Sequence, residues 1–416
     1  MTVSASASKA AAASLSVDDA LARILGRVRP LRAHELPLAP DLQGQTLAED
    51  VTAERDVPPF RNSAMDGYAV RGADVAEAPV RLRVVGSIAA GEVPDRGVGP
   101  GEAVRIMTGA PMPDGTDTVV RVEDTDDGTE VVTVTAATPQ GLSVRQAGED
   151  LRAGEMVLRR GTVLRAAEMG VLAAMGRARL LVIGRPRVAI LSTGDELVDL
   201  DAPLGPGQVR DANRYSLGAA VAAAGCEPWP LGIVRDTAEA LRAALREAAA
   251  ADCVVTSGGV SVGDHDHVKP VVQELGTIDF WSIAIRPGRP LAFGELHAGD
   301  RMTPIFGLAG NPVSALLTFE LFVRPSLLRM AGRTKLQRPR TAATLRDTIE
   351  KPRSLRFFAR GVYDGSDDVR TTGPQGSGIL RSMALANCLI DVPEGVARVG
   401  PGERVSLILT DLPEDH

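Results

Sequence analysis

The alternation of apolar strands with helical segments between residues 185 and 332 most constrains how this chain can fold. Three short runs, RVAILS, DCVVTS and PIFGLAG, are apolar on both faces, which is typical of parallel strands buried between helices. The segments that separate them have apolar residues at helical spacing. The pattern therefore predicts a three-layer domain, with a parallel sheet between two layers of helices.

Capping residues predict where the helices of this region begin and bend. Asp236 and Glu239 form a capping-box-like start for one helix. Asn311 is placed to cap the last helix, with Pro312 at the first helical position, where a missing amide costs nothing. Pro325 is expected to kink that helix. These signals support the predicted layer of helices.

Outside this region the residue pattern changes twice, which predicts further domains. Helically spaced apolar residues follow Ser16, a predicted helix cap, and another helical stretch covers 166–175. Short β-branched runs separated by Gly, Pro and Asp fill 51–147, and short strands return after 335. The predicted organisation is a disordered tail over 1–14, a helical linker domain over 15–50 and 148–184, an inserted β-rich domain over 51–147, a Rossmann-like α/β domain over 185–334 and a C-terminal β-barrel-like domain over 335–416.

Charge and cysteine content exclude several classes of function. The 416 residues have a formal charge of −7, so the protein as a whole does not attract nucleic acid or anionic lipid electrostatically. No apolar run approaches the roughly 18 residues of a membrane span, and the start of the chain lacks the features of a secretion signal. The 3 cysteines lie far apart, which fits neither a disulfide framework nor a thiolate zinc site. We expect a cytoplasmic protein that binds any anion at a local site.

Polar clusters follow each of the three predicted parallel strands. Residues 192–196 follow the first strand, 256–266 include the end of the second, and Gly310 with Asn311 follows the third. In sheets of this kind, ligands bind beyond the carboxyl ends of the strands, where the loops converge. Each cluster taken alone is also explained as a turn or a helix cap. Three clusters on one rim favour a binding site.

The segment TSGGVSVGDHDHVK is the most informative of these clusters. Gly258 and Gly259 allow close backbone approach to a ligand, while the hydroxyls of Ser257 and Ser261 can point at it. This is a common way to hold a phosphate or another oxyanion. The segment is not a P-loop, because the Gly-Lys-Ser/Thr ending is missing.

Carboxylates on the same loops suit a hard cation such as Mg²⁺ that bridges to phosphate oxygens. The alternative is a solvated acidic loop. His265 and His267 at i, i+2 are weak evidence for zinc without a third His or a Cys. The candidate carboxylates are Asp195, Glu196, Asp211, Asp264 and Asp266.

Two other segments carry candidate groups. Arg286 and Arg289 flank a Pro-Gly turn and could grip an oxyanion, although exposed arginines are equally expected in an arginine-rich chain. In the β-rich region, Asp66 and Thr108 could reach a ligand, although each alone is more simply a turn former.

Taken together, the motifs resemble the molybdopterin molybdenumtransferases, the MoeA proteins, which are related to the gephyrin E domain. The matches run in order over about residues 50–395, so they are far more specific than any single motif. The matching segments are NSAMDGYAV (62–70), RIMTGAPMPDGTDTVV (105–120), AGED (147–150), STGDEL (192–197), RDANR (210–214), TSGGVSVGDHDHVK (256–269), RPGRPLAFG (286–294), GLAGNPVSA (307–315) and QGSGILRSMALANCLI (375–390).

The resemblance implies an enzyme of molybdenum cofactor biosynthesis. Its members are elongated four-part homodimers, with a site between the α/β domain of one subunit and the inserted β domain of the other. They take adenylyl-molybdopterin and molybdate and release AMP and the molybdenum cofactor in an Mg²⁺-assisted step. Asp66 and Thr108 would then reach the partner's rim. Molybdopterin adenylyltransferase and molybdoenzymes are possible protein partners.

The resemblance also assigns residues to roles. Asp195, Glu196, Asp211 and Asp266, with Asp66 and Thr108, are catalytic candidates, and Asp195, Asp211, Asp264 and Asp266 are the candidate metal ligands. The candidates for binding the pterin, its phosphates and molybdate are Ser257, Gly258, Gly259, Ser261, Lys269, Arg286, Arg289, Gly310, Asn311 and Pro312, with Arg360, Ser377 and Ser382 as further candidates in the C-terminal domain.

Three positions depart from the family pattern. The family often has lysine at Arg286 and Arg289, which preserves the charge but not the contact geometry. It often has proline at Ala309, which would stiffen the approach to the following turn. None of these changes removes a group that moves protons or binds metal, so we expect activity to survive.

Two other functions are compatible with parts of the sequence. The preceding enzyme of the pathway, which adenylylates molybdopterin with ATP, has a similar glycine-rich loop but is usually a single domain. Residues 51–147 and 335–416 would then have no purpose. A non-catalytic scaffold is the second alternative, but the full acidic set is present, which favours catalysis.

Overall fold

A computed structural model describes residues 14–259 and 268–411, apart from the side chain of Phe280. Within these residues, the α-helices are α1 (Val17–Arg27), α2 (Ala166–Ala174), α3 (Ala212–Ala223), α4 (Ala238–Ala248), α5 (Val268–Leu275), α6 (Pro312–Thr318), α7 (Arg324–Met330) and α8 (Leu380–Ala384). Short 3₁₀ turns cover Pro40–Leu42, Gly72–Asp74 and Val122–Asp124, and a π-helical turn covers Phe319–Val323.

The strands are short except in the main sheets. In chain order they are β1 (Ala33–Pro37), β2 (Thr46–Leu47), β3 (Val51–Thr52), β4 (Asn62–Ser63), β5 (Gly67–Val70), β6 (Val80–Ile88), β7 (Glu102–Ile106), β8 (Thr118–Arg121), β9 (Val131–Val134), β10 (Val144–Arg145), β11 (Met156–Leu158), β12 (Arg179–Ile183), β13 (Arg187–Thr193), β14 (Leu197–Val198), β15 (Val209–Arg210), β16 (Glu227–Val234), β17 (Cys253–Ser257), β18 (Gly276–Ser282), β19 (Ile285–Arg286), β20 (Pro290–Ala298), β21 (Arg301–Leu308), β22 (Arg340–Leu345), β23 (Ile349–Glu350), β24 (Arg356–Tyr363), β25 (Asp368–Thr371), β26 (Cys388–Val392), β27 (Arg398–Val399) and β28 (Arg404–Leu409).

The chain forms two compact units. One takes its described residues from Met1–His34, Gly44–Ala48 and Val182–His416, and the other from Glu35–Gln43 and Glu49–Leu181. The predicted helical segments 15–50 and 148–184 contain α1 and α2, while their remainder includes the short strands β1, β2, β11 and β12. The predicted domain boundaries stay predictions. No helix within the described ranges is long and apolar enough to cross a membrane.

The larger unit contains a six-stranded sheet in the order β16-β13-β17-β21-β20-β18. The predicted parallel strands are confirmed, because β13, β17 and β21 pair in parallel, and β20 and β18 extend the sheet antiparallel. Alternate residues of β13 face opposite layers: Val188 and Ile190 pack with α1, α3 and α6, whereas Ala189 and Leu191 pack with α4 and α5. The sheet is therefore the middle layer of a three-layer domain, as predicted.

Helix starts agree with the sequence signals in part. The Ser16 side chain accepts the Asp19 N–H and caps α1. Asn311 occupies the predicted N-cap position and Pro312 opens α6, but the Asn311 side chain makes no capping hydrogen bond within the described residues. The predicted capping box at Asp236 is wrong, since α4 begins at Ala238 and the Thr237 hydroxyl accepts the Ala240 N–H. Thr237 is the residue with extended backbone geometry before the first helical turn, which a capping residue requires.

The C-terminal residues form a closed β-barrel in the same unit. Strands β24, β25, β22, β28 and β26 follow one another around it, and pairing of β26 with β24 closes the ring. Strand β19 of the α/β region pairs in parallel with β24. Backbone pairing therefore connects the α/β region to the barrel through β19.

The other unit contains a five-stranded sheet in the order β8-β5-β7-β6-β9. Side chains of β5 alternate between two small cores, with Tyr68 and Val70 on one face and Ala69 on the other. This region is therefore rich in β-strands, as predicted.

Candidate functional site

A cavity of about 390 Å³ lies at the carboxyl ends of β13, β17 and β21. It brings together the three strand-end clusters that the sequence places on one rim. None of its lining residues in the described chain carries a positive charge. The lining residues are Thr193, Gly194, Glu196, Leu197, Asn213, Asp236, Ser257, Gly258, Gly259, Pro290, Ala309, Gly310 and Asn311.

The glycine pair after β17 turns sharply against the neighbouring strand. Gly258 and Gly259 have φ of +90° and +66°, a region that residues with side chains rarely adopt. A Cβ on Gly258 would clash with the Thr193 carbonyl oxygen, and one on Gly259 with the Val268 side chain. Packing against the protein itself therefore requires both glycines, in addition to the predicted approach of a ligand.

Asn213 connects two of the strand ends and was not predicted as a site residue. Its Nδ2 donates to the Ser257 Oγ at 2.6 Å and to the Gly310 carbonyl oxygen at 2.7 Å. The side chain is almost fully buried in the first turn of α3, and its Oδ1 has no partner within the described residues. The available sequence signal was its position in the RDANR segment, two residues after Asp211.

The predicted carboxylates occupy three different environments. Glu196 lines the cavity and folds back over Gly194, whose missing Cβ leaves room for the carboxylate. Asp195 does not line it; its Oδ1 accepts the Asp236 N–H at 3.3 Å, and it is Asp236 that reaches the lining.

Asp211 is buried beneath the rim, where it caps α3. Its Oδ1 accepts the Ser192 hydroxyl at 3.0 Å and the Arg214 N–H at 3.1 Å. Among the described residues, its Oδ2 accepts no hydrogen bond and lies 3.6 Å from the Arg214 Nε. The structure therefore gives Asp211 a capping contact that also joins β13 to α3.

The predicted metal site stays a prediction. Ser261, Asp264 and Asp266 lie outside the described residues. Across the ranges that are described, no three His, Cys, Asp or Glu side chains converge as metal ligands. Of the two candidate ligands that are described, Asp211 has the Arg214 guanidinium facing its second oxygen.

The predicted basic residues do not line the cavity. The Arg286 guanidinium lies over the Phe357 ring of the barrel, 5.9 Å from its centroid. Arg289 donates from Nε to the Ser282 Oγ at 2.9 Å, and Pro290 next to it reaches the lining. Lys269 is exposed in the first turn of α5, and Pro312 begins α6 directly after Asn311.

Arg360 is the most unusual charged residue of the barrel. It is fully buried, donates from Nε to the Ser382 Oγ at 2.9 Å and from Nη2 to the Gly376 carbonyl at 3.0 Å, and has no carboxylate partner in the described chain. Its Nη1 has no partner there either. Burial lowers the pKa of Arg360 to about 10. The Ser377 carbonyl of the same loop accepts the Val313 N–H of α6 at 3.1 Å.

Asp66 and Thr108 contact each other in the β-rich unit. The Asp66 Oδ1 accepts both the Thr108 backbone N–H at 2.7 Å and its hydroxyl at 2.8 Å. These bonds, the backbone one first, hold the pKa of Asp66 below its ordinary value. The exposed carboxylate is therefore fixed in direction by a residue 42 positions away.

Family models match nearly the whole length of the chain. The model described as the MoeA N-terminal region (domain I and II) matches residues 15–176. The one described as a probable molybdopterin binding domain matches 189–329, and the MoeA C-terminal region (domain IV) matches 342–410.

Individual relatives agree with these matches. A molybdopterin molybdenumtransferase of Nostoc sp. is 40% identical over 377 residues, covering 88% of this chain and 86% of that protein. Molybdopterin molybdenumtransferase 2 of Mycobacterium tuberculosis is 39% identical over 392 residues, covering 91% and 96%. The crystal structure of a molybdopterin biosynthesis MoeA protein from Pyrococcus horikoshii superposes with a TM-score of 0.80 at 33% identity, covering 96% of this chain and 100% of that one.

Proposed function

This chain belongs to the MoeA family of molybdopterin molybdenumtransferases, and we propose that it converts adenylyl-molybdopterin and molybdate to molybdenum-molybdopterin and AMP. The observation that carries the proposal is the strand-end cavity, which joins a glycine turn, the Ser257 hydroxyl and the start of α6 in a domain that matches molybdopterin-binding proteins. In a chain of charge −7, an anionic pterin needs such a local set of donors.

The reaction needs positioning and charge neutralisation more than a protein nucleophile. Release of AMP is the hydrolysis of a phosphoanhydride bond, in which water supplies the new phosphate oxygen and AMP leaves, and molybdate releases oxygen ligands as the pterin binds the molybdenum. Burial raises the pKa of both Cys226 and Cys388 to about 12, so neither supplies a thiolate near neutral pH. In the proposal, Ser257, Gly258 and Gly259 hold the pterin phosphate, and Glu196 faces the same space.

Arg360 is our candidate for holding molybdate. A guanidinium that is buried without a carboxylate pays a desolvation cost, which an oxyanion could offset. With a pKa of about 10 it stays protonated at neutral pH. The bond from Val313 to the Ser377 carbonyl supports a functional link, because it joins the loop that holds Arg360 to the helix that starts at the cavity. The predicted roles of Arg286, Arg289 and Lys269 are part of the same proposal.

Mg²⁺ is retained as the proposed cofactor. Asp264 and Asp266 are its main candidate ligands, and bound Mg²⁺ would neutralise phosphate charge. Within the described residues no three candidate ligands converge, so the proposed site depends on Asp264 and Asp266. Residues of the described chain bind and orient the substrate.

We also propose a cytoplasmic homodimer whose site is shared between subunits. The paired Asp66 and Thr108 support this, because a carboxylate held outward by two hydrogen bonds is prepared to meet a ligand. Mixing Asp66→Ala with Ser257→Ala subunits tests the proposal. Random exchange should restore about a quarter of wild-type activity, since half of the dimers would contain one intact site of two.

A failure of mixing to raise activity, with subunit exchange verified by mass spectrometry, would contradict a shared site. Mixing two copies of the same variant is the control. Docking of molybdopterin adenylyltransferase or a molybdoenzyme stays part of the proposal and would be measured separately as binding to the wild-type protein.

The central experiment combines purified protein, adenylyl-molybdopterin, Mg²⁺ and molybdate. We expect release of AMP together with reconstitution of a cofactor-free molybdoenzyme. Reactions without molybdate or with EDTA are the controls. Consumption of ATP with free molybdopterin would instead identify an adenylylating enzyme, and absence of both reactions would favour a scaffold.

A further inference from the structure

Asn213 is held in one orientation by its two acceptors. Its Nδ2 lies between the Ser257 Oγ at 2.6 Å and the Gly310 carbonyl oxygen at 2.7 Å. A flipped amide would set its oxygen against the Gly310 carbonyl oxygen, which is repulsive because neither atom can donate. Both amide hydrogens are therefore directed at the ends of β17 and β21.

The bond to Ser257 controls where the serine proton can point. The hydroxyl accepts from Asn213, so its own hydrogen is directed elsewhere. Ser257 is buried, lines the cavity and donates to no described residue. An acceptor within the cavity is the available partner for this hydrogen.

The hydrogen bond to Gly310 also orients a donor, because it fixes the plane of the peptide that joins Gly310 to Asn311. In a trans peptide, the C=O of Gly310 and the N–H of Asn311 point to opposite sides. Because Asn213 holds the carbonyl oxygen, the Asn311 N–H is turned away from Asn213. This N–H has no acceptor among the described residues, and Asn311 lines the cavity at the start of α6.

We propose that Asn213 is a positioning residue that aims the Ser257 hydroxyl and the Asn311 N–H at one phosphoryl group of the substrate. This inference rests on the proposed function and adds a specific residue to it. The cavity lining contains no described cationic side chain, so oriented neutral donors must do this work there. Asn213 lines the cavity as well, and it supplies the orientation through its hydrogen bonds to Ser257 and Gly310.

A double-mutant cycle with Ser257→Ala tests the inference. The dissociation constant of adenylyl-molybdopterin is measured by calorimetry without Mg²⁺ or molybdate, alongside thermal unfolding. Asn213→Ala should weaken binding about tenfold in the wild-type background. In the Ser257→Ala background, Asn213→Ala should weaken binding only about threefold. The Ser257 hydroxyl is already absent there, so the substitution can disturb only the orientation of the Asn311 N–H. Asn213→Asp should weaken binding more than Asn213→Ala, since it removes both donors and adds a negative charge.

Asn387→Ala is the matched control. Asn387 is equally buried and bridges the Tyr363 N–H and carbonyl in the barrel, but it does not line the cavity. It should lower the unfolding temperature without changing the dissociation constant. The inference is overturned if Asn213→Ala behaves like Asn387→Ala, or if its effect on binding is the same in both backgrounds. Wild-type protein that binds the substrate but releases no AMP would refute the proposed function while leaving the inference intact.

Discussion

The strand-end cavity and the Arg360 site of the barrel offer two different ways to bind an anion. The cavity presents hydroxyl and amide groups, and its described lining contains no basic residue. The barrel instead buries a whole guanidinium without a carboxylate partner in the described chain. Neutral donors cost little to bury once they are hydrogen bonded, whereas a buried charge is costly until an anion arrives. Under the proposed function, the barrel would lose stability in exchange for binding an anion, whereas the cavity would not.

The largest expected effect comes from removing the buried charge. Arg360→Met should reduce molybdate-dependent AMP release on the order of 100-fold, because the oxyanion loses its charged donor. The free energy of unfolding should stay within about 1 kcal/mol or rise, since no ion pair is broken. Activity titrated against molybdate and chemical denaturation measure the two effects.

Arg356→Met is the contrasting variant. Arg356 donates to both oxygens of the buried Asp391, at 2.8 and 2.7 Å. Its loss should destabilise the protein by about 3 kcal/mol and leave the molybdate response unchanged. If Arg360→Met loses stability to the same extent and keeps its molybdate response, the proposed difference between the two regions is wrong.

The neutral site should be sensitive to backbone shape. Gly258→Ala should weaken binding of adenylyl-molybdopterin about tenfold and cost about 2 kcal/mol of stability, because the new methyl group meets the Thr193 carbonyl at a strained φ. Gly395→Ala has a similar φ of +83° but nothing within 4 Å. It should cost about 1 kcal/mol and leave binding unchanged. Equal behaviour of the two variants would show that only φ matters.

The smallest effect tests how well neutral donors hold an anion. Asp66 is such an anion within the protein, held by the N–H and hydroxyl of Thr108. Its depressed pKa adds stability that is present above the unfolded-state pKa and is lost as pH falls through the lower folded pKa. Thr108→Val should raise the pKa of Asp66 only partly, because the larger backbone contribution remains. Carboxyl NMR titration measures the shift, and an unchanged pKa would contradict the hydroxyl's role.

Much of the fold followed from local patterns. Apolar runs identified β13, β17 and β21, and Ser16 and Pro312 marked helix starts, because strand period and capping chemistry act over a few residues. The start of α4 was missed because Asp236 and Thr237 are both good caps, and only the backbone angles distinguish them.

The site was predicted at the level of loops but not of side chains. Gly258 and Ser257 reach the cavity as expected, whereas Asp211 faces inward as a helix cap and Arg286 lies over a barrel ring. Whether a carboxylate caps or binds depends on the direction of its side chain, and that direction is set by distant packing. Asn213 was missed because its two acceptors are 44 and 97 positions away in the chain.

By itself, the sequence determined that three polar loops share one edge of a sheet, because the carboxyl ends of parallel strands always do. It also placed glycine where the backbone must take a positive φ. Only the tertiary structure decided which groups are already bonded and which donors are left for a ligand. The physical reason is that hydrogen bonds and desolvation depend on neighbours in space, and for Asn213 and Arg360 those neighbours include residues that lie far along the chain.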